Sequence, residues 1–524
     1  MHTSPTDERC STWLGPLVLF ASMLVGLAVG AADQPAGEPG TATEVSAIGR
    51  WAFQPPRDEF SSDALLDLRF LNEKVAGQHG FITRSKDGND FAFGDGSPLR
   101  FWAVGDGAFD KNLARHARFL AKRGINMVRF HIPLAQDPAL AIIQIQNEDS
   151  LLFWTSQGIK GAARKELRRQ FAAFAAKKHG SLEKARSAWH DAAPTPDQDG
   201  ADDFTNSEAA LYMVWELTQH RGNAGQQQRC ADQMQFFTET MHNFNKMIGD
   251  FLKTGLGCKQ LVNAGNWRCA DNVTMLDAER QSYTANDVIA VNRYYDGAHE
   301  GANKGWAICN GDRFTDESAL RHPRELPLTL KQVDGFPVLV NYGGNPAQSR
   351  VADLTKFIHE DTKTIVSATG QLQLDYGRGL CVLTCPKAQG VTGFLKTRGV
   401  FKLADVEIRS GIDYATVLVV ALDNKPLRES GKILVQVGTT ERPMGWKTQP
   451  AMLAERAGQQ VVSFGHAPWM IVRADVTLTL GNPHLKTARV LDPNGMPLKT
   501  VPLENSGDRQ SFKFPEDSLY VIVE

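Results

Sequence analysis

The sequence predicts an α/β fold with a parallel sheet in its N-terminal half, followed by an all-β, sandwich-like C-terminal module. Three observations predict it. A strand-like run, a helix-like run and a second strand-like run follow one another between Leu99 and Ile132, the order of a right-handed βαβ unit. The stretch AIIQIQNEDSLLFW (141–154) begins as a β-branched apolar run suited to a strand buried on both faces, then stops at Asn147-Glu148-Asp149. After Val340 the texture changes: Gly, Pro, Asn and Asp punctuate alternating segments about every 8–12 residues.

In chain order, Trp13 to Gly30 is almost wholly apolar and is followed by Ala31-Ala32 and a polar, Pro/Gly-rich stretch. This reads as a secretory signal over 1–32, cleaved near Ala31 or Ala32. Its n-region holds Arg9 beside Asp7 and Glu8, so an uncleaved membrane anchor stays open as the alternative. Residues 33–79 read as a linker and N-terminal extension, 80–345 as the α/β domain and 346–524 as the β module. The expected location is outside the cytoplasm, secreted or in the periplasm and envelope.

From Gly80, the runs FITRS, DFAF and LRFWAVG are separated by Gly/Asp/Asn turns and predict a small hairpin leading into a longer strand. Phe109 to Arg123 has helical spacing, with Leu113, Ala117 and Leu120 on one face and Gly124 as the stop. INMVRFHI (125–132) is the next strand. Only 133–140 then separate it from AIIQIQNE, whereas parallel neighbours need a crossover of roughly a dozen residues or more. Either the two strands are not parallel neighbours, or a βα unit is absent.

Gly161 to Gly180 predicts a basic helix with a solvated face, and Ser181 is a natural N-cap for a second helix. Asp191 to Asp203 reads as a loop, and 207–252 as helix interrupted near Gly222–Gly225. QLVNAGNW (260–267), DVIAVNRYY (287–295) and GFPVLV (335–340) read as strands. GVFKLADVEI, YATVLVVALD, KILVQVG, WMIVRADVTLTL and LYVIVE supply the β module, with Asp492-Pro493-Asn494-Gly495 as a turn.

Composition narrows the chemistry. Lys+Arg 57 against Asp+Glu 59 leaves no basic excess to bind nucleic acid. Of seven cysteines, Cys10 belongs to the signal, and Cys230, Cys258, Cys269, Cys309, Cys381 and Cys385 form no C-x-x-C pair. Cys381 and Cys385, four apart on one strand, would sit about 13 Å apart, too far for a disulfide. Gly105-Asp106-Gly107 lacks the third glycine of a dinucleotide loop, His299-Glu300 lacks the second zincin histidine, and there is no G-x-S-x-G elbow. No cofactor or metal is implied.

The strand ends present Arg129, His131, Asn147, Glu148, Asn263, Asn266, Trp267, Tyr294 and Tyr295. Carboxyl ends of parallel strands are where α/β enzymes place their chemistry. Amides that bond hydroxyls, flat rings that stack on C–H faces and a carboxyl that protonates a leaving oxygen suit a sugar. The plainer reading of each is a strand turning into solvent, a core histidine bonded to backbone, or aromatics packed in the interior. Asn272-Val273-Thr274 matches a glycosylation sequon.

Taken in order, LRFWAVG, GINMVRFHIP, IIQIQNEDS, LVNAGNW and VIAVNRYY resemble the (β/α)8 TIM-barrel glycoside hydrolases of clan A, in particular family 5 cellulase-like proteins, over about residues 80 to 340. KKHGSLEKARSAW is similar to a helical insertion of related sugar-cleaving barrels. The resemblance implies that Glu148 is the general acid/base beside Asn147, that Arg129 supports the nucleophile's charge, and that Tyr294 or Tyr295 touches the nucleophile. It also marks departures. The third strand and its helix would fall in the short span 133–140. GFPVLV, which resembles the seventh strand, runs into Asn341-Tyr342-Gly343-Gly344-Asn345-Pro346 without the expected glutamate, and no eighth strand follows. Asp296, Glu300 and Asp334 read as loop charges, leaving the nucleophile unassigned. A retaining mechanism needs two carboxyls about 5 Å apart.

The expectation is therefore a secreted glycoside hydrolase built on an incomplete barrel with a β-sandwich module, acting on a carbohydrate. Neither a nucleic-acid partner nor membrane insertion is expected, unless the N-terminal segment stays uncleaved. The rival is a carbohydrate-binding or degenerate homologue without catalysis.

Overall fold

The computed structural model describes residues 43–44, 48–86, 90–105, 112–129, 138–194, 200–217, 222–267, 275–290, 292, 299–300, 309–314, 355–453 and 455–524. They form a mixed α/β N-terminal region and a large antiparallel β-sheet C-terminal region. Among the described residues no barrel closes, and no helix is long and apolar enough to cross a membrane. The segments 1–40, 131–137, 268–274, 293–298 and 315–354 lie outside the described residues, and with them the signal, the sequon and GFPVLV.

The first βαβ unit is as expected. Strand β1 (Ala103–Gly105) pairs in parallel with β2 (Met127–Arg129), joined by α1 (Leu113–Lys122). Asn112 caps α1 by accepting the Arg115 N–H at 3.0 Å, and Gly124 ends it at φ +77°. The buried face differs from the one expected: Leu113 is 61% exposed and Lys122 is 3% exposed. The sheet an apolar stripe would cover is only two strands wide among the described residues. Lys122 instead faces Asp58 of the N-terminal extension, 3.0 Å away and also buried.

The difficulty over 133–140 resolves into two separate pairs. Strand β3 (Ile142–Gln144) pairs in parallel with β4 (Leu261–Asn263), more than a hundred residues away in sequence, and not with β2. A parallel bridge from Asn263 to Val288 continues this second sheet.

Between β3 and β4 lies a helical layer of α2 (Gly161–His179), α3 (Leu182–Ala188) and α4 (Ala224–Asp250). Gly180 (φ +91°) turns the chain, and Ser181 caps α3 by accepting the Lys184 N–H at 3.2 Å. Phe171, Trp189 and Phe237 are fully buried where these helices meet. Each such side chain contributes about 1.5–3 kcal/mol by leaving water.

Two expectations fail here. The basic face of α2 is not wholly solvated, because Arg164 and Arg168 are buried and donate to the Ser156 and Ala201 carbonyls. Residues 207–217 are not helical: Ser207 and Val214–Leu217 are turns and 209–213 carry no regular structure. Side chains replace the helical bonds there: Gln233 brackets the Tyr212 N–H and C=O at 2.7 and 2.9 Å, and Arg229 donates to the Ala210 carbonyl at 2.7 Å.

In the C-terminal region a ten-stranded and a five-stranded antiparallel sheet share one core. Period-two alternation builds it: Ala415, Val417 and Val419 point in from one sheet, Val476, Leu478 and Leu480 from the other. Cys381 and Cys385 lie on one strand as free thiols. The Asp492–Gly495 turn is present, with Asp492 Oδ1 accepting the Asn494 and Met496 N–H groups at 2.8 Å each. Earlier parts of the chain join this region. Arg50–Phe53 pairs with His466–Val472, Arg313–Phe314 pairs with Arg456–Ser463, and Leu65 donates to the Gly495 carbonyl at 2.9 Å.

Candidate active site

The carboxyl ends of β2, β3 and β4 converge on one hydrogen-bonded cluster. Beyond β3 the chain turns at Glu148, whose φ of +48° lies in the left-handed region that β-carbon-bearing residues avoid. What holds it there is Asn266, beyond the end of β4, whose Oδ1 accepts the Glu148 N–H at 2.9 Å. The Nδ2 of Asn266 donates to Asn147 Oδ1 at 3.1 Å and to Asn292 Oδ1 at 2.9 Å. The 3% exposed Asn266 amide thus uses both its acceptor and its donors, as a buried amide must.

Arg129, at the end of β2, donates from Nη2 to Asn147 Oδ1 at 2.6 Å. Asn292 donates from Nδ2 to Glu148 Oε1, and its own N–H reaches the Asn266 carbonyl at 2.6 Å. One carboxylate, one guanidinium and three carboxamides therefore meet in a single network. The Glu148 side chain is half-buried and Asn147 is exposed, so the cluster meets solvent.

Trp267 follows Asn266 directly, half-buried, with its ring centroid 4.2 Å from that of Phe153. Its Nε1 is buried and, among the described residues, has no hydrogen-bond partner. Its backbone N–H donates to the Tyr283 hydroxyl at 3.1 Å. Gly265 permits that approach: a Cβ there would sit 3.0 Å from the same hydroxyl oxygen. Asn263 is placed differently from the other amides, within β4, where it donates to Gln144 at 3.3 Å across the strand pair.

Behind the Glu148 turn lies a group that motif reading passed over. Glu279, on α5 (Leu276–Tyr283), is fully buried and accepts the Ser150 hydroxyl at 2.6 Å. Burial pushes its carboxyl up to about 7 and the Asp149 charge adds to the rise, while the Ser150 and Tyr283 hydroxyls draw it down.

Of the expected site residues, Arg129, Asn147, Glu148, Asn266 and Trp267 are thus brought together. His131, Tyr294 and Tyr295 lie outside the described residues, as do Asp296 and Asp334; Glu300 falls in the short strand His299–Glu300. Asn292 was legible in principle, since it ends the apolar run Val288–Val291 as Asn147 ends that of β3. Nothing in LDAERQSY marks Glu279, whose role depends on tertiary placement. Among the described residues, no three His, Cys, Asp or Glu side chains gather where they could hold a metal ion. No protein-family model, curated protein or solved structure matches the chain.

Proposed function

We propose that this chain is a secreted carbohydrate-active protein that hydrolyses O-glycosidic bonds of an oligo- or polysaccharide, with Glu148 as general acid/base. The observation that carries the reading is the Asn292–Glu148 bond at the end of a parallel strand, with Asn147, Arg129 and Asn266 in the same network. Carboxamides supply both donors and acceptors for sugar hydroxyls, and the Trp267–Phe153 pair offers an apolar surface for a ring's C–H face. Glu148 would protonate the departing oxygen as the glycosidic C–O bond breaks and the glycosyl carbon bonds to the nucleophilic carboxylate the resemblance implies, then take a proton from the water that displaces that carboxylate. The architecture proposed is an incomplete (β/α)8 barrel over residues 80–345, of which β1 to β4 are strands, carrying a β-sandwich module. Parallel pairing of β1 with β2 and of β3 with β4 supports the barrel reading. The core shared by two antiparallel sheets supports the sandwich reading.

One contact favours a second reading, sugar binding without cleavage. Among the described residues, Arg129 donates to the Asn147 carboxamide and not to a second carboxylate. The test is turnover of an aryl-glycoside panel beside calorimetric binding of oligosaccharides, for wild type and Glu148→Gln. Hydrolysis by wild type that falls by roughly 10²–10⁴-fold in the variant, with binding kept, supports the first reading. Binding with no release by wild type selects the second. Neither binding nor release overturns both.

A further inference from the structure

We infer that Glu279 is a positioning residue: through Ser150 it holds the 147–152 turn in the conformation that presents Glu148 to Asn292. The inference rests on the proposed role of Glu148, but it concerns a group that never meets substrate.

Three observations lead there. Glu148 occupies a left-handed backbone conformation, φ +48°, which persists only where its surroundings over-determine it. On the upstream side of Ser150, Asn266 fixes the Glu148 N–H at 2.9 Å. On the downstream side, the 3% exposed Ser150 hydroxyl accepts the Leu152 N–H at 3.0 Å and donates to Glu279 at 2.6 Å. Ser150 therefore ties its own turn together only while its hydrogen points at an acceptor outside that turn. Glu279 is that acceptor, delivered by a different element, α5. Met241 of α4 lies 3.5 Å from the same hydroxyl, but a thioether sulfur is a weak acceptor.

The chemistry explains the choice of a carboxyl. Burying one with no exposure is unfavourable, and a residue kept only for packing would be apolar. A glutamine of the same shape could still accept the Ser150 hydrogen through its Oε1. A leucine could fill the space but accept nothing. The two substitutions thus separate the hydrogen bond from the packing.

The test compares Glu279→Gln, Glu279→Leu and Ser150→Ala by hydrogen–deuterium exchange of the 147–153 segment, with helices α2 and α4 as internal references. Turnover and sugar binding are measured on the same samples. Glu279→Leu and Ser150→Ala are expected to speed exchange of the segment by on the order of tenfold or more, leaving α2 and α4 unchanged. Glu279→Gln is expected to restore slow exchange. Where wild type hydrolyses glycosides, Glu279→Leu and Ser150→Ala should each lose kcat with KM nearly unchanged, and a variant carrying both should lose no more than either alone. Exchange in Glu279→Leu equal to wild type overturns the inference, as does a Glu279→Gln variant that folds yet exchanges as fast as the leucine variant. Faster exchange in a protein that neither binds nor cleaves sugar upholds the positioning role and rejects the proposed function. Should Glu279→Leu fail to fold, Ser150→Ala decides by the same exchange criterion.

Discussion

Replacing Glu279 by glutamine should raise stability above neutral pH and leave it nearly unaltered in acid. The carboxyl is fully buried and its proton is held to about 7 instead of the ordinary 4.5. Below pH 4.5 it is protonated in folded and unfolded chains alike. Between 4.5 and about 7 only the folded chain keeps the proton, so each rise in pH favours the unfolded chain. Above about 7 the loss is complete. At about 1.4 kcal/mol per pH unit, that interval corresponds to about 3 kcal/mol. Glutamine carries no titrating proton and escapes this loss. Urea unfolding of wild type and variant at pH 4.5, 6 and 8.5 measures it. The variant-minus-wild-type difference cancels the titrating groups that do not sense Glu279, and should grow by about 3 kcal/mol across the series. A difference flat with pH would falsify the assignment of a buried, neutral-range carboxyl.

Two further outcomes follow from buried contacts. Lys122→Met strands the Asp58 carboxylate, which is 5% exposed, and should cost about 3–5 kcal/mol by thermal melting, with most of it recovered when Asp58→Leu is added. In Gly495→Ala, a residue at φ +83° gains a Cβ that would lie 2.4 Å from the Leu66 carbonyl oxygen; limited proteolysis should then cut residues 57–79 faster than in wild type, and equal cutting would refute the contact's importance.

The parts legible in the sequence were those set by local chemistry. Gly124 and the Gly180-Ser181 corner ended and began helices where φ > 0 and a hydroxyl cap require it. Alternation over Ala415–Ala421 gave the inward face of a strand. The abrupt change from Ile145 to Asn147 marked the strand end that carries Glu148. What escaped was set by partners distant in sequence. Residues 207–217 have helix-forming composition, but Gln233 and Arg229 satisfy the Tyr212 and Ala210 backbone in a non-helical form. Arg168 reads as a surface cation until the Ala201 carbonyl receives it. The role of Glu279 depends on Ser150, 129 residues earlier.

The pairing of Arg50–Phe53 with His466–Val472 bears on how the chain comes off the ribosome. Asn494 donates to the Pro56 carbonyl across 438 residues. At about 5–20 residues per second, that partner is made roughly 20–90 s after Pro56. Through that time the early strand has no mate and must avoid others. Nascent chains stalled short of residue 466 should be sticky in a way that those extended well past Val472 are not.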